Sequence, residues 1–249
     1  MLVQTREQPS LIFLSSSLII GISLFLIFLF NSLAAFVLSL NGYAANDAAW
    51  MRYCAISPDG QQIAFSYKGD IYTVGVNGGR ANQITTNPAH DTHPIWSPNG
   101  QQIAFASDRL GGMDIYIVDK EGGVPTRITT HSGNETPLAF KDNGHILFQA
   151  NILPSADDMQ FASAQFPQVY EVSTTGGRPV MFSSMPMEDI QFNPAGNAIL
   201  FHDKKGYECP WRKHHTSSIT RDIWMCTLDG ARTYQKMSPF NGEDRNPVW

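Results

Sequence analysis

The densest grouping of chemically able side chains lies between Phe201 and Ile219, with His202, Asp203, Lys204, Lys205, Glu208, Cys209, Trp211, Arg212, Lys213, His214 and His215. Guanidinium and ammonium groups donate charge-assisted hydrogen bonds, so Arg212 and Lys213 suit a peptide carboxylate or another subunit. The plainer alternative is a solvated loop folded back on its own sheet. Its length and the presence of Trp211 among the charges lend support to contact without displacing that alternative, and Trp211, Arg212, Lys213, His214 and His215 are the candidate contact residues. Cys209, His214 and His215 are metal donors by type, but adjacent histidines do not reproduce zinc-knuckle spacing, so no metal is expected. No Gly-x-Ser-x-Gly elbow occurs, and Ser217-Ser218 beside the two histidines lacks the context of a positioned nucleophile, so no catalytic residue is expected here. A second insertion, Asn151 to Pro167, carries Phe161 and Phe166, which either cap a sheet or form a peptide-contact patch. Its Asp157-Asp158 pair lacks the remaining oxygen ligands of a calcium loop, and the glycine turns lack a phosphate-loop lysine; no cofactor is expected.

Both insertions interrupt a repeat. Ile56-Ser57-Pro58-Asp59-Gly60-Gln61-Gln62-Ile63-Ala64-Phe65 recurs as Trp96-Ser97-Pro98-Asn99-Gly100-Gln101-Gln102-Ile103-Ala104-Phe105, 40 residues later. Weaker copies begin at Phe140 and Phe192, offsets of 44 and 52, which imply insertions on a common unit. Each unit continues with a second β-prone run, Asp70-Ile71-Tyr72, Asp114-Ile115-Tyr116, Gln168-Val169-Tyr170 or Asp222-Ile223-Trp224. A glycine turn and a further short run through Ile84-Thr85-Thr86, Ile128-Thr129-Thr130, Val180-Met181-Phe182 or Lys236-Met237-Ser238 complete it. Four short antiparallel strands in a period near 40 predict the blades of a β-propeller, with Phe65, Phe105, Phe148 and Phe201 between blades. The units fall near 50–90, 91–133, 134–186 and 187–240. Asp244-Arg245-Asn246-Pro247-Val248-Trp249 repeats the lead-in Asp91-Thr92-His93-Pro94-Ile95-Trp96 and reads as the start of a fifth unit from 241, hence a partial propeller over 47–249.

Composition agrees with an all-β globular domain behind a membrane-targeting segment. With 249 residues, 43% of them hydrophobic, a sizeable core is expected and general disorder is excluded. A net charge of −5 argues against a broadly basic nucleic-acid-binding surface. Three cysteines are too few for a disulfide scaffold. Residues 8 to 46 contain no charged side chain, and Leu11 to Phe30 is long enough as a hydrophobic helix to cross a bilayer. Residues 1–46 are therefore expected to be a signal peptide or a single membrane-spanning anchor, which places the remainder in the periplasm or another extracytoplasmic space.

Trp96-Ser97-Pro98-Asn99-Gly100, Ile103-Ala104-Phe105, Asp114-Ile115-Tyr116 and Gly122-Gly123 together resemble the WD40-like repeats of the TolB and tricorn-protease propellers, over approximately residues 50 to 249. Ala195 departs from the usual Asp of the fourth turn, and Lys141-Asp142 replaces Ser-Pro in the third. Asp203 to Glu208 with Pro210 to Ser218 looks like the tricorn-like bacterial proteases of the S41 class. That resemblance implies a larger, six-bladed propeller and a parent chain with PDZ-like and serine-protease domains after Trp249. It further implies a propeller that guides or filters peptides or unfolded polypeptides, with a homo-oligomer open as an option. A TolB-like protein-interaction propeller without enzymatic activity is the alternative.

Overall fold

A computed structural model describes residues 50–152, 166–206 and 219–249. The hydrophobic segment within residues 1–46 lies outside the described residues, and so does the helix expected there. The described residues form four antiparallel sheets, each a meander of four consecutive strands. The first holds β1 (Arg52–Ile56), β2 (Gln62–Tyr67), β3 (Asp70–Gly75) and β4 (Asn82–Gln83); the second holds β5 (Asp91–Trp96), β6 (Gln102–Leu110), β7 (Gly112–Asp119) and β8 (Thr126–Arg127). The third holds β9 (Thr136–Asp142), β10 (His145–Ala150), β11 (Gln168–Ser173) and β12 (Val180–Ser183); the fourth holds β13 (Met187–Phe192), β14 (Ala198–Asp203), β15 (Ile223–Thr227) and β16 (Tyr234–Lys236). These are four propeller blades. The first strand of each blade lies against the blade before it: β5 touches β1, β2 and β3, β9 touches β5, β6 and β7, and β13 touches β9.

Strand periodicity explains the stacking. Successive side chains point to opposite faces, and in β6 Ile103 and Phe105 join Ile71, Ile84 and Trp96 in the apolar cluster between blades one and two. Ala104, one residue out of phase, joins Ile146, Phe148 and Tyr170 in the cluster between blades two and three. Because both faces are covered, the centre of such a strand reads as a continuous apolar run, as Ile103-Ala104-Phe105-Ala106 does in β6, where all four are buried. Phe105, Phe148 and Phe201 are fully buried and Phe65 nearly so, in the packing role their repeat positions predict.

The repeated turn is fixed by side chains. Ser57 Oγ donates to Asp59 Oδ1 (2.5 Å) and accepts from the Gln62 N–H (2.9 Å), while the Gln61 N–H donates to Asp59 Oδ1 (3.0 Å). Ser97, Asn99, Gln101 and Gln102 reproduce those bonds at 2.7, 3.0 and 2.9 Å. Gly60 and Gly100 supply φ of 68° and 66°, a region costly for a residue with a Cβ. Blade four lacks both Ser and Asp, and Asn193 takes over: its Oδ1 accepts from the N–H groups of Asn197 (2.9 Å) and Ala198 (3.1 Å).

A second repeated device lies in the first strand of each blade. Tyr53, His93 and Asp189 adopt φ of 54°, 52° and 51°, each inside a register shift of the ladder. The equivalent residue of blade three is Pro137, whose ring holds φ negative, and there the irregularity moves to the neighbourhood of Leu138. The outermost strands are shorter than the repeat suggests: β4 and β8 have two residues each. Thr85 and Thr129 turn inward instead, accepting from the Ile71 and Ile115 N–H groups at 3.0 and 2.8 Å.

Phe105→Ala removes a fully buried ring from one inter-blade cluster and is expected to cost about 3–5 kcal/mol. Ser97→Ala, which removes only turn bonds, should cost about 1 kcal/mol. Urea denaturation of both variants beside the parent protein checks the order and the size of the two shifts.

Candidate functional site

Meander topology sorts the connections into two rims. At one rim sit the tight turns between first and second strands. At the other sit the hairpins between second and third strands, together with the links from one blade to the next. In blades one and two those hairpins are short, at Lys68-Gly69 and around Gly111. In blades three and four the same hairpins carry the two insertions, Asn151 to Pro167 and Lys204 to Asp222. Loop length is therefore concentrated on one rim, where a rigid strand scaffold can present variable segments.

That rim also holds a cleft of about 750 Å³ beside blade one. Trp50, Arg52, Tyr53, Tyr67, Lys68 and His90 are among its lining residues. The Arg52 guanidinium lies over the Trp50 ring at 5.5 Å and the Lys68 ammonium over the Tyr67 ring at 5.2 Å. Among the described residues neither cation has a carboxylate partner, so both are available to an anionic group. Asp70, the acid of the cleft, is engaged by Gln83 Nε2 (3.0 Å) and the Thr85 hydroxyl (3.3 Å), and burial raises its pKa above the usual carboxylate value. His93 stacks on Tyr53 with centroids 3.6 Å apart, and burial depresses its pKa to about 4, so it is neutral at physiological pH.

The two ends of the blade-four insertion are held by charged side chains. Its two strands are tied at Asp203, whose Oδ1 accepts from the Asp222 N–H (2.8 Å) and whose Oδ2 accepts from Trp224 Nε1 (3.2 Å). Lys205 Nζ reaches Asp222 Oδ2 (2.5 Å) and the Thr220 carbonyl (2.8 Å). On the other face of β14, the buried His202 donates from Nε2 to Glu188 Oε2 (3.0 Å) and sets Nδ1 3.5 Å from Asp189 Oδ2. Lys204 (3.1 Å) and Arg221 (3.1 Å) also hold Glu188, and Arg221 continues to Glu243 at 2.8 Å. Burial alone would raise the Glu188 pKa, but the bonds from His202 and Lys204 and the charges of Lys204 and Arg221 bring it down to about 2. In blade three the Tyr170 hydroxyl donates to the Ile152 carbonyl (2.7 Å) and closes the base of that insertion.

Of the candidate contact residues, Phe161, Trp211, Arg212, Lys213, His214 and His215 lie outside the described residues. Phe166 is described, half-buried at the foot of the blade-three insertion, with its carbonyl accepting from Gln168 Nε2 at 3.3 Å. Sequence reasoning missed the blade-one cleft and the Glu188–His202–Arg221 network. The alternation of aromatic and cationic residues at 50–53 and 67–68 was the available sign of the first. Among the described residues no three His, Cys, Asp or Glu side chains converge as a metal site.

A model of the tricorn protease N-terminal beta propeller domain matches residues 48–249. Tricorn protease homolog 1 of Streptomyces coelicolor is 22% identical over 193 residues, covering 77% of this chain and 17% of that protein. The chain thus spans about a sixth of the length of this curated relative. Among solved structures, the tricorn protease aligns with a TM-score of 0.61 at 20% identity, over 80% of this chain and 19% of its own. TolB from Acinetobacter baumannii aligns with a TM-score of 0.56 at 17% identity, over 78% of this chain and 45% of its own. At such identities the two structures speak to the fold.

The depressed Glu188 carboxyl carries a prediction with a definite sign. Its stabilisation is fully present above the unfolded value of 4.5 and is lost as pH falls toward about 2. At about 1.4 kcal/mol per pK unit the effect is on the order of 3 kcal/mol. Acid denaturation followed by circular dichroism should find Glu188→Gln less stable than the parent at pH 6, with the difference closing between pH 4 and pH 2.

Proposed function

The chain belongs to the family of tricorn protease N-terminal β-propeller domains, and from that membership we propose that it is the non-catalytic propeller portion of a larger tricorn-like serine protease. In this reading it guides or filters peptides or unfolded polypeptides toward a catalytic domain carried outside residues 1–249. The family match over residues 48–249 carries the proposal. Two features of the rim support it: the long connections of blades three and four start and end there, and it holds a cleft whose cations rest on aromatic rings and have no carboxylate partner among the described residues. Trp211, Arg212, Lys213, His214, His215, Phe161 and Phe166 are the proposed peptide or partner contacts.

The same reading includes more blades than four. Trp249 Nε1 donates to the Gln191 carbonyl (2.9 Å) as Trp96 Nε1 donates to that of Ala55 (3.1 Å). The Asp244 N–H donates to Arg221 O (3.0 Å) as Asp91 donates to Gly69 O (2.7 Å), and Asn246 has φ 54° where His93 has 52°. These equivalences support residues 241–249 as the first strand of a fifth blade in a larger ring, six-bladed by family resemblance. Residues 1–46 complete the proposal as a signal peptide or membrane anchor that makes the domain extracytoplasmic. A propeller serving protein–protein contact alone is the second reading, favoured by the alignment to TolB at a TM-score near that of the tricorn protease.

Purification of the native protein with a serine-reactive probe separates the two. Labelling of a chain much heavier than 27.6 kDa, outside residues 1–249, is expected; a mature chain ending near Trp249 without labelling would overturn the protease assignment. In fluorescence anisotropy with an unfolded polypeptide, Arg212→Ala with Lys213→Ala should weaken binding about tenfold, the worth of a lost charge-assisted contact.

A further inference from the structure

Successive blades meet along a buried polar seam that repeats, and the repeats differ in how their charges balance. At the first seam Asp70 is held by the neutral groups Gln83 and Thr85, while the fully buried Asp91 takes the Arg109 guanidinium at 2.7 Å. Arg109 also lies over the rings of Phe105 and Tyr116 at 5.3 and 4.8 Å. Forty-four residues on, Asp114 replaces Asp70, Arg127 replaces Gln83, Thr129 replaces Thr85 and Glu135 replaces Asp91. Here the guanidinium has changed partner, since Arg127 pairs with Asp114 at 2.7 Å.

Glu135, with no exposed surface, is left with weaker company. Its Oε2 accepts from the Thr129 hydroxyl at 2.8 Å, and its Oε1 has no hydrogen-bond partner among the described residues. The nearest titratable base is His131, with Nδ1 at 3.7 Å. That nitrogen already accepts from the Gly133 N–H at 3.0 Å, so it presents a lone pair and not a proton. An ionised Glu135 would therefore be a buried carboxylate whose one hydrogen-bond donor among the described residues is the Thr129 hydroxyl, beside a second carboxylate whose guanidinium is taken. The charged and titratable groups around it are Asp114 and Tyr116 from β7, Arg127 from β8 and His131 from the link to β9.

We propose that Glu135 holds a proton and makes the junction of blades two and three a pH-responsive seam, closed while the carboxyl is neutral and loosened when it ionises. The first seam is an internal control, since there the Arg109 guanidinium matches the charge of Asp91 at 2.7 Å. Burial, with Asp114 adding to it against the Thr129 bond, raises the Glu135 pKa to about 7 from 4.5. A raised folded value means that the native state holds the proton more tightly than the unfolded chain. The stabilisation is complete below pH 4.5 and is lost as pH rises through about 7.

Hydrogen exchange of the full chain between pH 6 and pH 9, corrected for base catalysis, tests the seam. Protection of residues 112–119 and 136–142 should fall up to about tenfold per pH unit above pH 7 relative to residues 62–67, the limit for one linked proton. Glu135→Gln should abolish that slope. Equal slopes at the two seams, or an unchanged slope in Glu135→Gln, would overturn the proposal. If that variant does not fold, ¹³C NMR of the wild-type Glu135 carboxyl decides: a midpoint between pH 6 and 8 supports the seam, and one near 4.5 refutes it.

Discussion

No blade of this protein has a core of its own. A four-stranded meander has two faces, and each of those between neighbouring blades finds its apolar partner on the next sheet. Within β6, Ile103 and Phe105 serve one interface while Ala104 serves the next. The burial of β6 and of β10 depends on the presence of both the blade before and the blade after. This makes stability a sum of interfaces, as in other repeat architectures, and any group carried into an interface must arrive with its polar partners.

The polar seams follow from that demand. The N–H groups of Ile71, Ile115 and Ile223 on the third strands would be stranded beside the apolar clusters, and Thr85, Thr129 and Ser238 supply each with a hydroxyl acceptor. The hydroxyl brings acids with it, Asp70 and Glu135 among its partners, and each buried carboxylate then needs a cation, a donor or a proton. The blades answer with different residues, Arg109 at one seam and Arg127 at the next, while the apolar stacking stays the same. Apolar packing sets the geometry, and charge balance distinguishes one junction from another.

What could be read from the sequence was what is local. Ser-Pro-Asx-Gly and Asp-Ile-Tyr encode bonds within five residues or along one strand, so the blades, their order and the packing role of Phe105 and Phe148 were legible. The insertions were legible as enlarged spacing. The cleft was not, because Arg52, Lys68 and His90 come from three segments, two brought together by the β1–β2 ladder and the third by the link to blade two. The Glu188–His202 bond joins directly opposed residues of β13 and β14, but the register shift between Glu188 and Gln191 separates that pair from the turn whose register the sequence shows. Asn193 shows the converse case: Ala195 looked like a defect in the fourth turn, and a longer side chain two residues earlier repairs it.

The two rims are not equally free to change. At the first-hairpin rim the turns are locked by their own side chains and also touch one another: the Asn99 N–H donates to Asn143 Oδ1 of the next blade at 3.0 Å, and an added Cβ on Gly100 would meet Pro58 at 3.8 Å. Lengthening one such turn would disturb its neighbours as well as itself. The second hairpins of blades three and four are closed at their bases by bonds within the blade, as Tyr170 closes one and Asp203 with Lys205 closes the other. Added residues there cost mainly loop-closure entropy, which grows only slowly with length. The rim that can accept insertions is therefore the one where recognition can diversify while the stacked strands stay unchanged, and the long connections of blades three and four leave and rejoin their strands at that rim.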